Sequence, residues 1–144
     1  LPKDKKERAA ILTELASETR TIIIYEAPHH LQKTLEELYD VLGDRKLMLC
    51  RELTKRYETI SPTSISDAIS YYDGQEPKGE FVLVIQGKDM QEIIEEKQQE
   101  WKNIPLKEHM EHYEIQGIPR KEAMKLVAKD RGISKRDVYA MLLG

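Results

Sequence analysis

The chain holds 144 residues, 40% hydrophobic and 34% charged, which suits one domain of ordinary size with room for a small appended piece and excludes a disordered chain. Its net charge of −3 excludes a uniformly basic nucleic-acid binder, yet residues 117–144 carry seven basic residues against three acidic ones, +4 there and −7 elsewhere. The single Cys50 excludes an internal disulfide, and no apolar run approaches the roughly 18–20 residues that span a bilayer, so a protein of the reducing cytoplasm with no membrane partner is expected.

Ala9, Leu12, Leu15 and Ala16 recur at helical spacing and predict a helix over 5–16. It starts almost at once after Leu1, which is not methionine, and this suggests a segment cut from a longer protein. Thr21 to Tyr25 is a β-branched strand that stops at Glu26 and turns through Ala27 into a helix from Pro28 to Leu42, with proline at its first turn and Gly43 past its end. A second strand, Lys46 to Cys50, exits through Arg51, Glu52, Leu53, Thr54 and Lys55. Residues 21–51 therefore read as a βαβ unit whose parallel strands bring both polar exits to one sheet edge, the edge where open α/β sheets bind ligands. Cys50 is expected to be a buried small hydrophobe.

Tyr57 to Ile60 suggests a short strand, with Pro62, Ser64 and Ser66 announcing a helix that ends at Asp73 and Gly74. Phe81 to Ile85 is fully apolar. If it runs antiparallel to the first two strands, Gly79 reaches the same edge and lets a ligand approach the backbone closely. The fold class expected is α/β, a mixed sheet flanked by helices followed by a small all-helical C-terminal piece. Its parts are residues 1–88, a helical connector over 89–116 that is broken at Pro105, and a basic hairpin over 117–144.

In that hairpin Ala128, Gly132 and Val138, with Ser134 placed to cap, have helix-turn-helix spacing. Lys135, Arg136 and Tyr139 fall at the exposed start of its second helix and, with Arg120 and Lys121, are candidate phosphate contacts. Helical hairpins that bind only protein have the same pattern. Arg51 and Lys55 either meet RNA phosphate or pair with Glu52 and Glu58. Glu26 and His29 are the candidate catalytic groups, each against the reading of a helix cap. His109 and His112 share a helix face with too few further ligands for a metal, and a solvated face is expected there; no metal is assigned. Trp101 is expected to pack between the α/β part and the helical part. Tyr71 and Tyr72 are read as core or rim.

Three separated strings, Tyr25-Glu26-Ala27-Pro28-His29, Arg51-Glu52-Leu53-Thr54-Lys55 and Lys78 to Val84, resemble the C-terminal half of the ribosomal RNA small subunit methyltransferase I family, within the tetrapyrrole methylase superfamily. Leu1 and Pro2 resemble that family's domain junction. The resemblance implies an enzyme that 2′-O-methylates a cytidine of 16S rRNA in the small ribosomal subunit. It also implies S-adenosylmethionine held between two α/β domains, and a homodimer. It places Tyr25, Glu26, Ala27, Gly79 and Glu80 at the cofactor. The family's glycine-containing loop belongs to an N-terminal domain outside this sequence, so the segment alone is expected to be at best a weak cofactor binder. His30 stands where relatives usually have arginine, and Ser61 and Pro62 where they have glycine. Two alternatives stay open: a stand-alone nucleic-acid-binding module built on the basic helices, and a small-molecule methylase of the same superfamily acting on a porphyrinoid.

Overall fold

The computed structural model describes residues 1–144, which divide into two compact units, Leu1–Asp89 and Met90–Gly144. The first unit holds α1 (Lys5–Leu15), β1 (Ile22–Glu26), a 3-10 turn at Pro28–His30, α2 (Leu31–Leu42), β2 (Lys46–Arg51), β3 (Thr59–Ser64), α3 (Ile65–Tyr72) and β4 (Phe81–Ile85). The sheet order is β1-β4-β2-β3, and every hydrogen-bonded pair is antiparallel. The α/β class holds, and so does the parallel sense of β1 and β2. The two do not touch, because β4 lies between them and pairs with both.

Strand parity decides what is covered. Ile22 and Ile24, Leu47 and Leu49, and Phe81, Leu83 and Ile85 all face one side. There they bury against Leu12 of α1, Leu31, Leu35 and Leu38 of α2, and Ile65 and Ala68 of α3. Residues of the other parity include Ile23, Tyr25, Met48 and Ile60, which are exposed. The helices therefore cover one face of the sheet and leave these four residues of the other open to solvent. Cys50 is buried as expected, and burial together with the nearby Glu58 carboxylate pushes its thiol up.

Two local expectations are corrected. β3 runs over Thr59–Ser64 rather than Tyr57–Ile60 and takes in Pro62, tolerated because β3 is an edge strand, while Ser64 caps α3 as expected, its hydroxyl accepting the Asp67 N–H at 3.1 Å. The turn after Ala27 is 3-10 over Pro28–His30, and the α-helix begins only at Leu31.

The second unit holds α4 (Met90–Lys102), α5 (Leu106–Glu114), α6 (Arg120–Arg131) and α7 (Lys135–Leu143). The helices of 90–116, expected as a connector, pack on α6 and fall in the same compact unit. Met110, Ala123, Val127, Ala128 and Val138 form its apolar core. The turn between α6 and α7 follows the sequence: Gly132 is left-handed at φ 67°, and Ser134 and Asp137 form a reciprocal capping box. Trp101 is half-buried and stacks on the His109 ring at 3.9 Å and 4°, a contact within this unit. No helix is long and apolar enough to cross a membrane.

Candidate functional site

Because β4 is antiparallel to β1 and β2, its start meets their ends, and Glu26, Glu52 and Glu80 arrive on one edge of the sheet. A cleft of about 610 Å³ opens there, lined by Tyr25, Glu26, Ala27, Leu53, Thr54, Glu80, Phe81 and Val82. Of the residues expected at a cofactor, Tyr25, Glu26, Ala27 and Glu80 line it, and Gly79 does not.

Each polar corner is held by local contacts. Glu26 has the parity of the core, so its side chain faces α2: Oε2 accepts from the Thr34 hydroxyl at 2.5 Å, and Oε1 accepts the Ala27 N–H at 2.9 Å. Thr34 is fully buried and in turn accepts from Arg8 Nη2 at 2.9 Å, while Arg8 Nε pairs with Glu37 at 2.6 Å. Glu26 thus fixes the turn after β1 with both oxygens engaged. His29 is exposed, its ring tilted against His30 at 4.2 Å, and it does not line the cleft.

Glu52 is the strained member of the edge. It and Thr54 have positive φ, 53° and 64°, unusual for residues with a Cβ. Its Oε1 accepts the Glu80 N–H at 2.7 Å, and its own N–H donates to the Glu80 carbonyl at 2.8 Å. Lys55 Nζ bridges Glu52 Oε2 and Glu80 Oε2, each at 3.1 Å. The ammonium and the Glu80 amide hold the Glu52 carboxyl below its usual range, and both carboxylates raise Lys55. Gly79 gives the Glu52 side chain its room: a Cβ there would fall within 2.9 Å of Glu52 Cγ and Cδ, and its φ is +92°. Arg51 Nε donates to the Lys78 carbonyl at 2.5 Å, tying the end of β2 to the approach to β4.

The sequence reading missed Thr34 and Arg8. The available signal was a threonine on the buried stripe of α2, between Leu31 and Leu35. It also missed Leu53, Thr54 and Val82 in the cleft wall.

In the helical unit, Arg120, Lys121, Lys135 and Arg136 line a second concavity of about 710 Å³ with Met124, Tyr139, Leu142 and Leu143. They occupy the first two positions of α6 and of α7, against the helix dipole. His109 is not on a solvated face as expected. It is fully buried, with Nε2 against Asp130 Oδ2 at 2.9 Å and Nδ1 accepting from Arg131 Nε at 2.9 Å. Arg131 Nη2 also donates to the Ile104 carbonyl at 2.5 Å, and the Tyr113 hydroxyl donates to Asp130. Burial lowers His109 and lifts the Tyr113 hydroxyl to about 12. Tyr72 packs edge-on against Phe81 at 5.7 Å, while Tyr71 is exposed.

A helix-backed α/β sheet with a cleft at its strand ends, followed in the chain by a four-helix unit, is the class that fold and site define. No family model matches the chain. Among curated proteins it is similar to three named ribosomal RNA small subunit methyltransferase I. It is 43% identical over 139 residues to that of Bacillus subtilis (strain 168) and 40% to that of Halalkalibacterium halodurans, in each case across 96% of this chain and 47% of the relative. The Synechocystis sp. protein is 36% identical over 142 residues, 96% of this chain and 48% of the relative. The chain belongs to the ribosomal RNA small subunit methyltransferase I family as its C-terminal part, and it spans about half the length of these relatives.

Proposed function

We propose that the chain forms one wall of the S-adenosylmethionine site in a cytoplasmic enzyme that 2′-O-methylates a cytidine of 16S rRNA in the small ribosomal subunit. The observation that carries this reading is the convergence of Glu26, Glu52 and Glu80 on one sheet edge, around the cleft that Tyr25, Leu53 and Val82 help to line. It is supported by the name shared by relatives up to 43% identical.

The residues present fit one side of such a ligand. Glu80 is exposed and acidic, suited to a cationic group, and Tyr25, Leu53 and Val82 offer apolar surface to a purine. The backbone N–H groups of Ala27, Glu52 and Glu80 are already bonded within the chain, so further polar contacts must come from elsewhere. The proposal assigns them to an N-terminal domain. S-adenosylmethionine, when bound, supplies an activated methyl group.

A carboxylate near a sulfonium stabilises the ground-state charge more than the neutralising transition state, so the acidic edge acts by orientation. Glu26 is a positioning residue that holds the Ala27 turn through Thr34. His29, exposed on that turn, is assigned as the group that takes the ribose 2′ proton. Arg120, Lys121, Lys135 and Arg136 of the helical unit are assigned to RNA phosphates, while Arg51 and Lys55, engaged by the Lys78 carbonyl and by Glu52 and Glu80, are assigned to shaping the edge. The exposed Ile23, Tyr25 and Met48 on the other sheet face support assembly as a homodimer.

The test compares this chain with the full-length protein, by calorimetry with S-adenosylmethionine and by methyl transfer to small ribosomal subunits mapped at the ribose 2′ oxygen. The full-length protein should bind and transfer. The chain alone should do neither well, since loss of orientation removes up to roughly 7–11 kcal/mol. Tight cofactor binding by the chain alone, or transfer to a base, would overturn the reading.

A further inference from the structure

The concavity between α6 and α7 has a composition that surface grooves rarely combine. Its floor is apolar, from Met124, Leu142 and the Tyr139 ring, and no carboxylate lines it. Its rim is cationic. Arg120 is paired with Glu114 at 3.1 Å, whereas Lys121, Lys135 and Arg136 have no partner within the protein.

Lys135, Arg136, Tyr139 and Leu143 recur at three- and four-residue spacing, so they share one face of α7. Cations in the first turns of both helices repel the positive ends of the helix dipoles, so the rim favours an incoming anion. Tyr139 is 56% exposed although it lines this apolar floor. A phosphate alone has no use for that floor, and an aliphatic partner has none for four cations. A nucleotide whose base is out of the stack uses both, with the ring on the aromatic floor and the flanking phosphates on the rim.

We propose that this basin takes an unpaired nucleotide of single-stranded RNA, its base on Tyr139 and its phosphates on Lys121, Lys135 and Arg136. The inference rests on the reading of the chain as part of an RNA-modifying enzyme. It goes beyond that reading in naming strandedness and a stacking residue outside the methyl-transfer cleft.

The test is fluorescence anisotropy of the 144-residue chain with a labelled single-stranded RNA 12-mer and with the same sequence as a duplex, across a salt series. Single strands should bind at least about fivefold tighter than the duplex. Tyr139→Ala should weaken single-strand binding about fivefold or more without changing the salt slope, and Tyr139→Phe should restore it. Lys135→Gln and Arg136→Gln should each reduce the log–log salt slope by about 0.7. Circular dichroism confirms that each variant is folded. Equal or tighter duplex binding, an unaffected Tyr139→Ala, or capture of an acidic amphipathic peptide in place of RNA would overturn the proposal. Failure of methyl transfer by the full-length protein would strike the proposed function and leave this binding result standing.

Discussion

The two units use polar side chains in opposite places. In the sheet unit the interior is hydrocarbon apart from Thr34 and the Cys50 thiol, and the charged groups sit at the strand ends, bonded to one another and to backbone. In the helical unit the interior holds a buried histidine and arginine, while the cations at the starts of α6 and α7 are mostly unpaired. Fixed polar groups at an edge build a shaped wall. Fixed polar groups in a core leave the surface charges available to a partner.

The contrast breaks most easily in the sheet core. Phe81→Ala, at a side chain 1% exposed, should cost about 3–5 kcal/mol in urea denaturation of the chain. In the helical core, Arg131→Met leaves His109 Nδ1 and the Ile104 carbonyl without a donor, each worth about 1–3 kcal/mol by the same measurement. An apolar core in that unit would instead accept methionine with little loss.

Gly79→Ala tests whether the edge is a preformed wall. Its Cβ displaces the Glu52 carboxylate and its backbone is strained by about 1–3 kcal/mol. Adding Glu52→Ala should recover part of the loss, a coupling that a double-mutant cycle reads directly.

The smallest effect comes from pH. His109 lies below its ordinary value of 6.5, first through burial, and Nδ1 faces the Arg131 guanidinium, so the folded state holds the ring neutral. The unfolded chain then binds the extra proton. Stability is full above about pH 6.5 and falls as pH drops from there through the folded value. Thermal melts from pH 7.5 to 5 should show the decline, and an NMR titration should show His109 titrating below its ordinary value of 6.5. A ring that titrates above 6.5 would refute the assigned tautomer.

How much of this was legible follows the range of each signal. The α6–α7 turn was readable because Gly132, Ser134 and Val138 carry local backbone rules within seven residues. The meeting of three strand ends was readable from strand direction alone. The order of strands was not, because β4 enters between β1 and β2 from some thirty residues downstream and leaves no trace in either strand's periodicity. His109 was misread for the same reason: its partners Asp130 and Arg131 lie 21 and 22 residues away, so the spacing to His112 says nothing about them. Gly79 showed correctly that space was needed, while what fills the space, the Glu52 side chain, came from another strand.

The two rims of the sheet are unequal templates. β3 carries Pro62 with Ser61 and Thr63 beside it, a poor guide for another strand, while β1 at the opposite rim is Ile22–Glu26 with no proline to blunt it. Any lengthening of the sheet by a visiting backbone therefore has one permitted side. A proline placed at the exposed Ile23 of that rim is the simplest way to close it.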